Sequence, residues 1–180
     1  MNREKNLFSP NEATNQLPII PYGKHYITDD DIEAVKRVLQ SEFLTQGPMV
    51  KEFEQAFAEY VGSKYAVAVS NGTAALHLCA IALSVKPGDK VITTSITFSA
   101  SANCVRYSGG DVVFADIDPN TYNMSISCLE KKLVLAKAEK LLPKIIIPVH
   151  LCGQSCDMEK IYALSLEYGF KIIEDASHAI

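Results

Sequence analysis

The chain has 180 residues, of which 48% are hydrophobic and 21% charged, and its formal net charge is −4. That balance describes a globular chain with a sizeable core and excludes a nucleic-acid partner, since no basic run supplies the electrostatic footprint one needs. The polar start Met1-Asn-Arg-Glu-Lys-Asn6 and the short, interrupted apolar runs predict neither a secretory leader nor a membrane span.

Residues 1–20 read as a flexible lead-in, made non-helical near its end by Leu17-Pro-Ile-Ile-Pro-Tyr22. Thr28 followed by Asp29, Asp30 and Asp31 predicts an N-cap and an acidic first turn, with Ile32, Val35 and Leu39 as one apolar stripe. Ser41 to Pro48 interrupts the pattern, and a second helix carries Val50, Phe53, Phe57 and Tyr60 to a stop at Gly62. From Tyr65 strands and helices alternate. Strands are predicted at 65–69, 90–94, 111–115, 144–149 and 171–174, with helices at 73–84, 98–107, 126–141 and 157–168. Continuous Val/Ile runs rather than alternating ones imply strands covered on both faces. The fold class is therefore α/β, a mostly parallel sheet with helices on both faces, occupying residues 21–180. Five cysteines without a disulfide-like pattern suit a reducing, cytoplasmic setting, and Cys152 and Cys156 have the wrong spacing for a C-x-x-C site.

The chain is organised around Tyr65 to Leu83, an apolar run, the polar turn Ser70-Asn-Gly-Thr73 and an Ala/Leu segment that reads as a buried helix. Free N–H groups at a helix start favour an anion, and a phosphate fits; Gly72 permits close backbone approach, while Ser70 and Thr73 add hydroxyls. An ordinary helix cap fits the turn equally well. In open α/β sheets ligands gather at the carboxyl ends of the strands, and each predicted strand here ends in polar residues. They are Ser70 to Thr73, Thr93 to Thr97, Asp116 and Asp118, His150, and Asp175 to His178.

Asp175 is the most informative of these. It follows Phe170-Lys-Ile-Ile-Glu174, so its carboxylate should be partly desolvated and should need a cation or several donors. The pyridinium nitrogen of a flat cofactor anchored by phosphate at Gly72 and Thr73 would supply that cation; a structural hydrogen bond remains the alternative. Phe98 could stack on a flat ring or pack in the core, and His150 and His178 could carry protons or be structural. Asp116 and Asp118 read as a turn, and His77 as a packed core histidine.

Six separated motifs resemble the DegT/DnrJ/EryC1/StrS family of sugar aminotransferases. They are Leu44-Thr-Gln-Gly-Pro48, Val69-Ser-Asn-Gly-Thr-Ala-Ala-Leu-His-Leu78, Thr93-Thr-Ser-Ile-Thr-Phe-Ser-Ala-Ser-Ala-Asn-Cys104, Phe114-Ala-Asp-Ile-Asp118, Val149-His-Leu-Cys-Gly153 and Glu174-Asp-Ala-Ser-His-Ala179. Their wording is most similar to the branch that aminates UDP-linked 4-keto-6-deoxy-N-acetylhexosamines for pseudaminic acid synthesis. The resemblance implies pyridoxal phosphate in a type I aminotransferase large domain, a homodimer, glutamate as amino donor and a UDP-sugar as acceptor. It implies that Gly72 and Thr73 hold the phosphate, Phe98 stacks on the ring, Asp175 pairs with the pyridinium nitrogen and His178 lies near the ring. Tyr22 and Thr45 would contact the nucleotide sugar.

One family feature has no counterpart. The lysine that forms the Schiff base belongs to a Ser-Phe-His-x-x-Lys-like segment downstream of the Asp-Ala-x-His motif, and Lys144, Lys160 and Lys171 lie outside it. The sequence therefore reads as the N-terminal portion of a transaminase. On its own this portion is expected to be inactive and poorly soluble, with strand 65–69 unpaired. Two other readings stay open: a dehydratase of the same family, in which histidine replaces that lysine, and a non-catalytic product of a split or degenerate gene.

Overall fold

The computed structural model describes residues 24–179. The chain divides into two units, Met1–Glu52 and Phe53–Ile180. The N-terminal unit holds α1 (Asp29–Leu39) and the first turn of α2 (Pro48–Tyr60). Thr28 caps α1 as the sequence indicates. Its side chain accepts from the Asp31 amide, and the Asp31 carboxylate accepts from the Thr28 amide at 2.7 Å, a reciprocal capping box. The apolar stripe of α1 is not buried: Ile32, Val35 and Leu39 are each more than half exposed.

The second unit is built on a four-stranded parallel sheet in the order β2-β1-β3-β4, formed by β1 (Lys90–Thr94), β2 (Asp111–Ala115), β3 (Ile145–Ile147) and β4 (Lys171–Ile172). α3 (Gly72–Ala82) and α4 (Ala100–Tyr107) cover one face, where Leu76, Ala80, Ala100, Cys104 and Val105 pack on Val91, Ile145, Ile147 and Ile173. α5 (Ile126–Ala138) and α6 (Met158–Tyr168) cover the other, where Leu129, Leu133, Ile161 and Leu164 pack on Ile92, Ala115 and Ile146. Successive strand residues thus enter opposite cores, which is why all three isoleucines of β3 are fully buried. Gly169 closes α6 in the left-handed conformation, φ 79°.

The structure departs from the predicted elements in several places. Residues 65–69 form no strand, because a strand exists only in a ladder and this run finds no strand partner among the described residues; the Ala68 amide donates to Glu54 Oε1 at 2.8 Å and the Tyr65 carbonyl accepts from Ser63 Oγ at 2.7 Å. β3 stops at Ile147 because Pro148 has no N–H to donate, and pairing resumes as an isolated parallel bridge between Val149 and Asp175. α4 begins at Ala100, leaving Phe98 outside the helix. α3 is buried along one stripe only, with Leu78, Cys79 and Ile81 exposed, and His77 is half-buried with its ring edge-on to Tyr107 at 5.4 Å.

Candidate functional site

An open cleft lies at the carboxyl ends of β3 and β4, against the start of α3. Five residues singled out from sequence line it: Gly72, Thr73, Phe98, Asp175 and His178. So does His150. Ser70 is not among the lining residues. Thr45 is exposed in the turns between α1 and α2 of the N-terminal unit, and Tyr22 lies outside the described residues.

One end of the cleft is the N-terminus of α3. Asn71 is the N-cap; its Oδ1 accepts from the Ala74 amide at 2.9 Å, and its carbonyl accepts from Ala75 at 3.1 Å. The amides of Gly72 and Thr73 are left without a protein acceptor among the described residues, at the positive end of the helix dipole. The backbone approach is tight: a Cβ on Gly72 would lie 3.0 Å from Ser177 Oγ.

Asp175, 5% exposed, lines the same cleft. Ser101 Oγ donates to its Oδ2 at 2.6 Å, while the Ser177 amide and hydroxyl donate to Oδ1 at 3.3 and 2.7 Å. Its main chain is held as well, its amide donating to Pro148 O at 2.9 Å and its carbonyl accepting from the His150 amide at 3.0 Å. No lysine or arginine lines the cleft among the described residues, so this buried carboxylate has donors but no counter-charge. Its charge is felt in the core beneath: burial first, with Asp175 adding, pushes the Cys104 thiol up to about 11.

His150 is buried and has no free nitrogen. The Cys156 amide donates to its Nδ1 at 3.0 Å, so the ring proton sits on Nε2 and is donated to Glu174 Oε2 at 3.0 Å. It therefore locks the wall below Asp175 rather than offering a proton to the cleft. His178 and Phe98 are exposed on the rim. Phe98, 73% exposed, is not a core aromatic. Asp118 forms the expected turn, accepting from the amides of Asn120 and Thr121.

Sequence reasoning missed Ser101 and Ser177, the donors to Asp175, and Asn123. The last is 4% exposed; its Nδ2 donates to the carbonyls of Gln154 and Ser155, and its Oδ1 accepts from the Leu151 amide. It fixes the loop that carries Leu151 into the cleft wall. Only Ser177 had a signal, its place two residues after the strand-end acid.

Comparison with known proteins places this geometry. The spore coat polysaccharide biosynthesis protein SpsC of Bacillus subtilis is 43% identical over 161 residues, covering 89% of this chain and 40% of its own length. GDP-perosamine synthase of Caulobacter vibrioides is 38% identical, over 92% of this chain and 43% of its own. Among solved structures, NtdA of Bacillus subtilis with bound cofactor PMP superimposes with a TM-score of 0.80, is 32% identical, and is matched by all of this chain over 41% of its own. The chain thus spans about two fifths of the length of these relatives. Its sheet and flanking helices are those of the type I aminotransferase large domain. With residues 25–180 matching throughout, the chain belongs to the DegT/DnrJ/EryC1/StrS aminotransferase family.

Proposed function

We propose that the cleft binds pyridoxal 5′-phosphate and that the protein containing this chain transfers an amino group from glutamate to a UDP-linked 4-keto-6-deoxy-N-acetylhexosamine, a step toward pseudaminic acid, working as a cytoplasmic homodimer. The observation that carries the cofactor reading is the buried Asp175 carboxylate, hydrogen-bonded by hydroxyls but facing no cation, in the same cleft as the unpaired amides of Gly72 and Thr73. A ligand with a phosphate at one end and a protonated ring nitrogen at the other satisfies both ends. The names of SpsC and GDP-perosamine synthase support sugar chemistry, and the PMP in NtdA supports the cofactor. The UDP-sugar and the donor rest on the motif wording quoted above.

In this reading the Gly72 and Thr73 amides, with the Thr73 hydroxyl, hold the phosphate in the field of α3. Phe98 covers one ring face, His178 lies beside it, and Asp175 keeps the ring nitrogen protonated. When bound, the cofactor supplies an electron sink for the carbon that loses or gains the amino group. Lys144, Lys160 and Lys171 do not line the cleft, and in this reading the lysine for covalent attachment and proton transfer is supplied by another part of the protein. Tyr22 and Thr45 are assigned to the nucleotide sugar on the resemblance alone.

The test is made on protein expressed from the whole gene. It should bind pyridoxal phosphate, seen as a shift in cofactor absorbance, and convert the UDP-4-keto sugar to an amino sugar with glutamate, seen by mass. Asp175→Asn should lower that rate by at least about a hundredfold. Absence of cofactor binding, or an undiminished Asp175→Asn variant, refutes the reading. Amino transfer to other keto sugars only refutes the substrate.

A further inference from the structure

Behind Asp175 stands a chain of hydroxyls that cofactor anchoring does not by itself require. Ser101, in the first turn of α4, is fully buried, and its Oγ lies 2.6 Å from Asp175 Oδ2 and 2.7 Å from Thr97 Oγ1. A hydroxyl has one proton, and an ionised carboxylate only accepts. The short contact to the charged oxygen wins that proton over the Phe98 carbonyl, which is 3.3 Å away. Ser101 must then accept from Thr97, so the proton order runs from Thr97 on the cleft wall, through Ser101, to the buried acid.

Counting acceptor sites shows what this order serves. A carboxylate offers about four lone-pair positions, two on each oxygen. Oδ1 of Asp175 is filled by the amide and hydroxyl of Ser177, whereas Oδ2 holds Ser101 alone. The open position is on the oxygen that Ser101 grips. We infer that Ser101 is a positioning residue, whose hydroxyl, oriented by Thr97, fixes the rotation of the Asp175 carboxylate so that the remaining lone pair of Oδ2 meets the ring N–H of the cofactor. This rests on the reading of the cleft as a pyridoxal phosphate site. Thr97 and Ser101 touch no reacting atom; they act through Asp175.

The experiment compares two ligands that differ only at the ring nitrogen: pyridoxal phosphate and its 1-deaza analogue, in which carbon replaces that nitrogen. Dissociation constants of both are measured for the unchanged protein, Ser101→Ala and Ser101→Thr, each checked by thermal melting. The unchanged protein should prefer pyridoxal phosphate. Ser101→Ala should weaken that ligand about tenfold and leave the analogue unchanged, since a hydrogen bond to a charged group is lost; Ser101→Thr keeps the hydroxyl and most of the preference. An equal loss for both ligands, or a preference unaltered by Ser101→Ala, overturns the inference. Should the alanine variant fail to fold, Thr97→Val at the half-buried end of the chain is read by the same ratio, and an unaltered ratio overturns it equally. An unchanged protein that binds neither ligand overturns the cofactor reading and this inference with it, whereas one that binds and prefers pyridoxal phosphate isolates the role of Ser101.

Discussion

Asn123→Ala tests whether one side chain holds the wall of the cleft in place. The amide makes three hydrogen bonds to the loop after β3: Nδ2 to Gln154 O at 2.9 Å and to Ser155 O at 3.1 Å, and Oδ1 from the Leu151 amide at 3.2 Å. Gln154 and Ser155 are exposed, so their carbonyls regain water, and the half-buried Leu151 amide keeps the Val149 carbonyl at 3.0 Å. Three bonds at about 1 kcal/mol each, with no buried donor left unpaired, give a cost of about 2–3 kcal/mol. The loop also holds Cys152 at φ 54° and Gly153 at φ 85°, left-handed values that disfavour a non-glycine residue by about 1 kcal/mol, so Cys152→Gly should recover part of the loss. Urea unfolding gives the stability change, and amide hydrogen exchange should show Leu151 and Cys156 losing protection ahead of the sheet. A loss below about 0.5 kcal/mol with unchanged exchange at both amides would refute the clamp.

Two further predictions concern the scaffold. Cys104 is buried with its thiol pushed up to about 11, mainly by desolvation, whereas Cys79 and Cys152 are exposed. A thiol reagent at pH 8 should therefore label Cys79 and Cys152 and spare Cys104 until unfolding. The unfolded chain releases this proton from about pH 8.5 while the folded chain retains it, so stability should fall as pH rises from about 9 to 11. A Cys104→Ala variant that keeps the full decline would show that another group causes it. Gly169→Ala places a side chain at φ 79° where no atom lies within 4 Å, so its cost is purely conformational, about 1 kcal/mol in urea. A neutral result would mean that α6 ends equally well without the left-handed residue.

The sheet was legible where burial on both faces leaves a continuous apolar run, as at Ile145–Ile147, and the cleft was legible because parallel strands deliver their following residues to one edge. Asp175 could be located by that rule alone, whereas Gly72 and Thr73, which follow no strand, were marked by their place at a helix start. Pairing partners could not be located. Residues 65–69 have strand composition, but a ladder is a non-local event, and the run finds no neighbour among the described residues. The stripe on α1 reports a capacity to be buried and not its partner, so Ile32, Val35 and Leu39 read as core and remain exposed. Ser101 was invisible for a related reason: its role depends on α4 bringing it to an acid 74 residues away, and an isolated serine in a helix carries no mark of that. Asn123, inside what reads as a turn, is equally mute until the loop at 151–155 is seen folded over it.

The two ends of the sheet differ in charge, and that difference constrains what the cleft can hold. Lys90, Lys144 and Lys171 stand at or beside the amino ends of β1, β3 and β4, where Lys144 is tied to Asp89 at 2.7 Å. The carboxyl ends present Asp175 and the cleft, with no lysine or arginine lining it among the described residues. A simple anion would be drawn to the α3 amides but repelled by the buried carboxylate, and a simple cation would meet the reverse. Only a ligand carrying both signs, separated along its length, gains at both ends without leaving either unpaired. The sugar substrate is a poor candidate for the ring end, because a hydroxyl could donate to Oδ2 but would not neutralise the charge. Ser101 and Ser177 together donate three hydrogen bonds to this carboxylate, and in the function proposed above a protonated ring nitrogen would add a fourth. Donors from the fold, with a cation brought by the proposed ligand, would let a buried acid exist here without a lysine or arginine lining the cleft beside it.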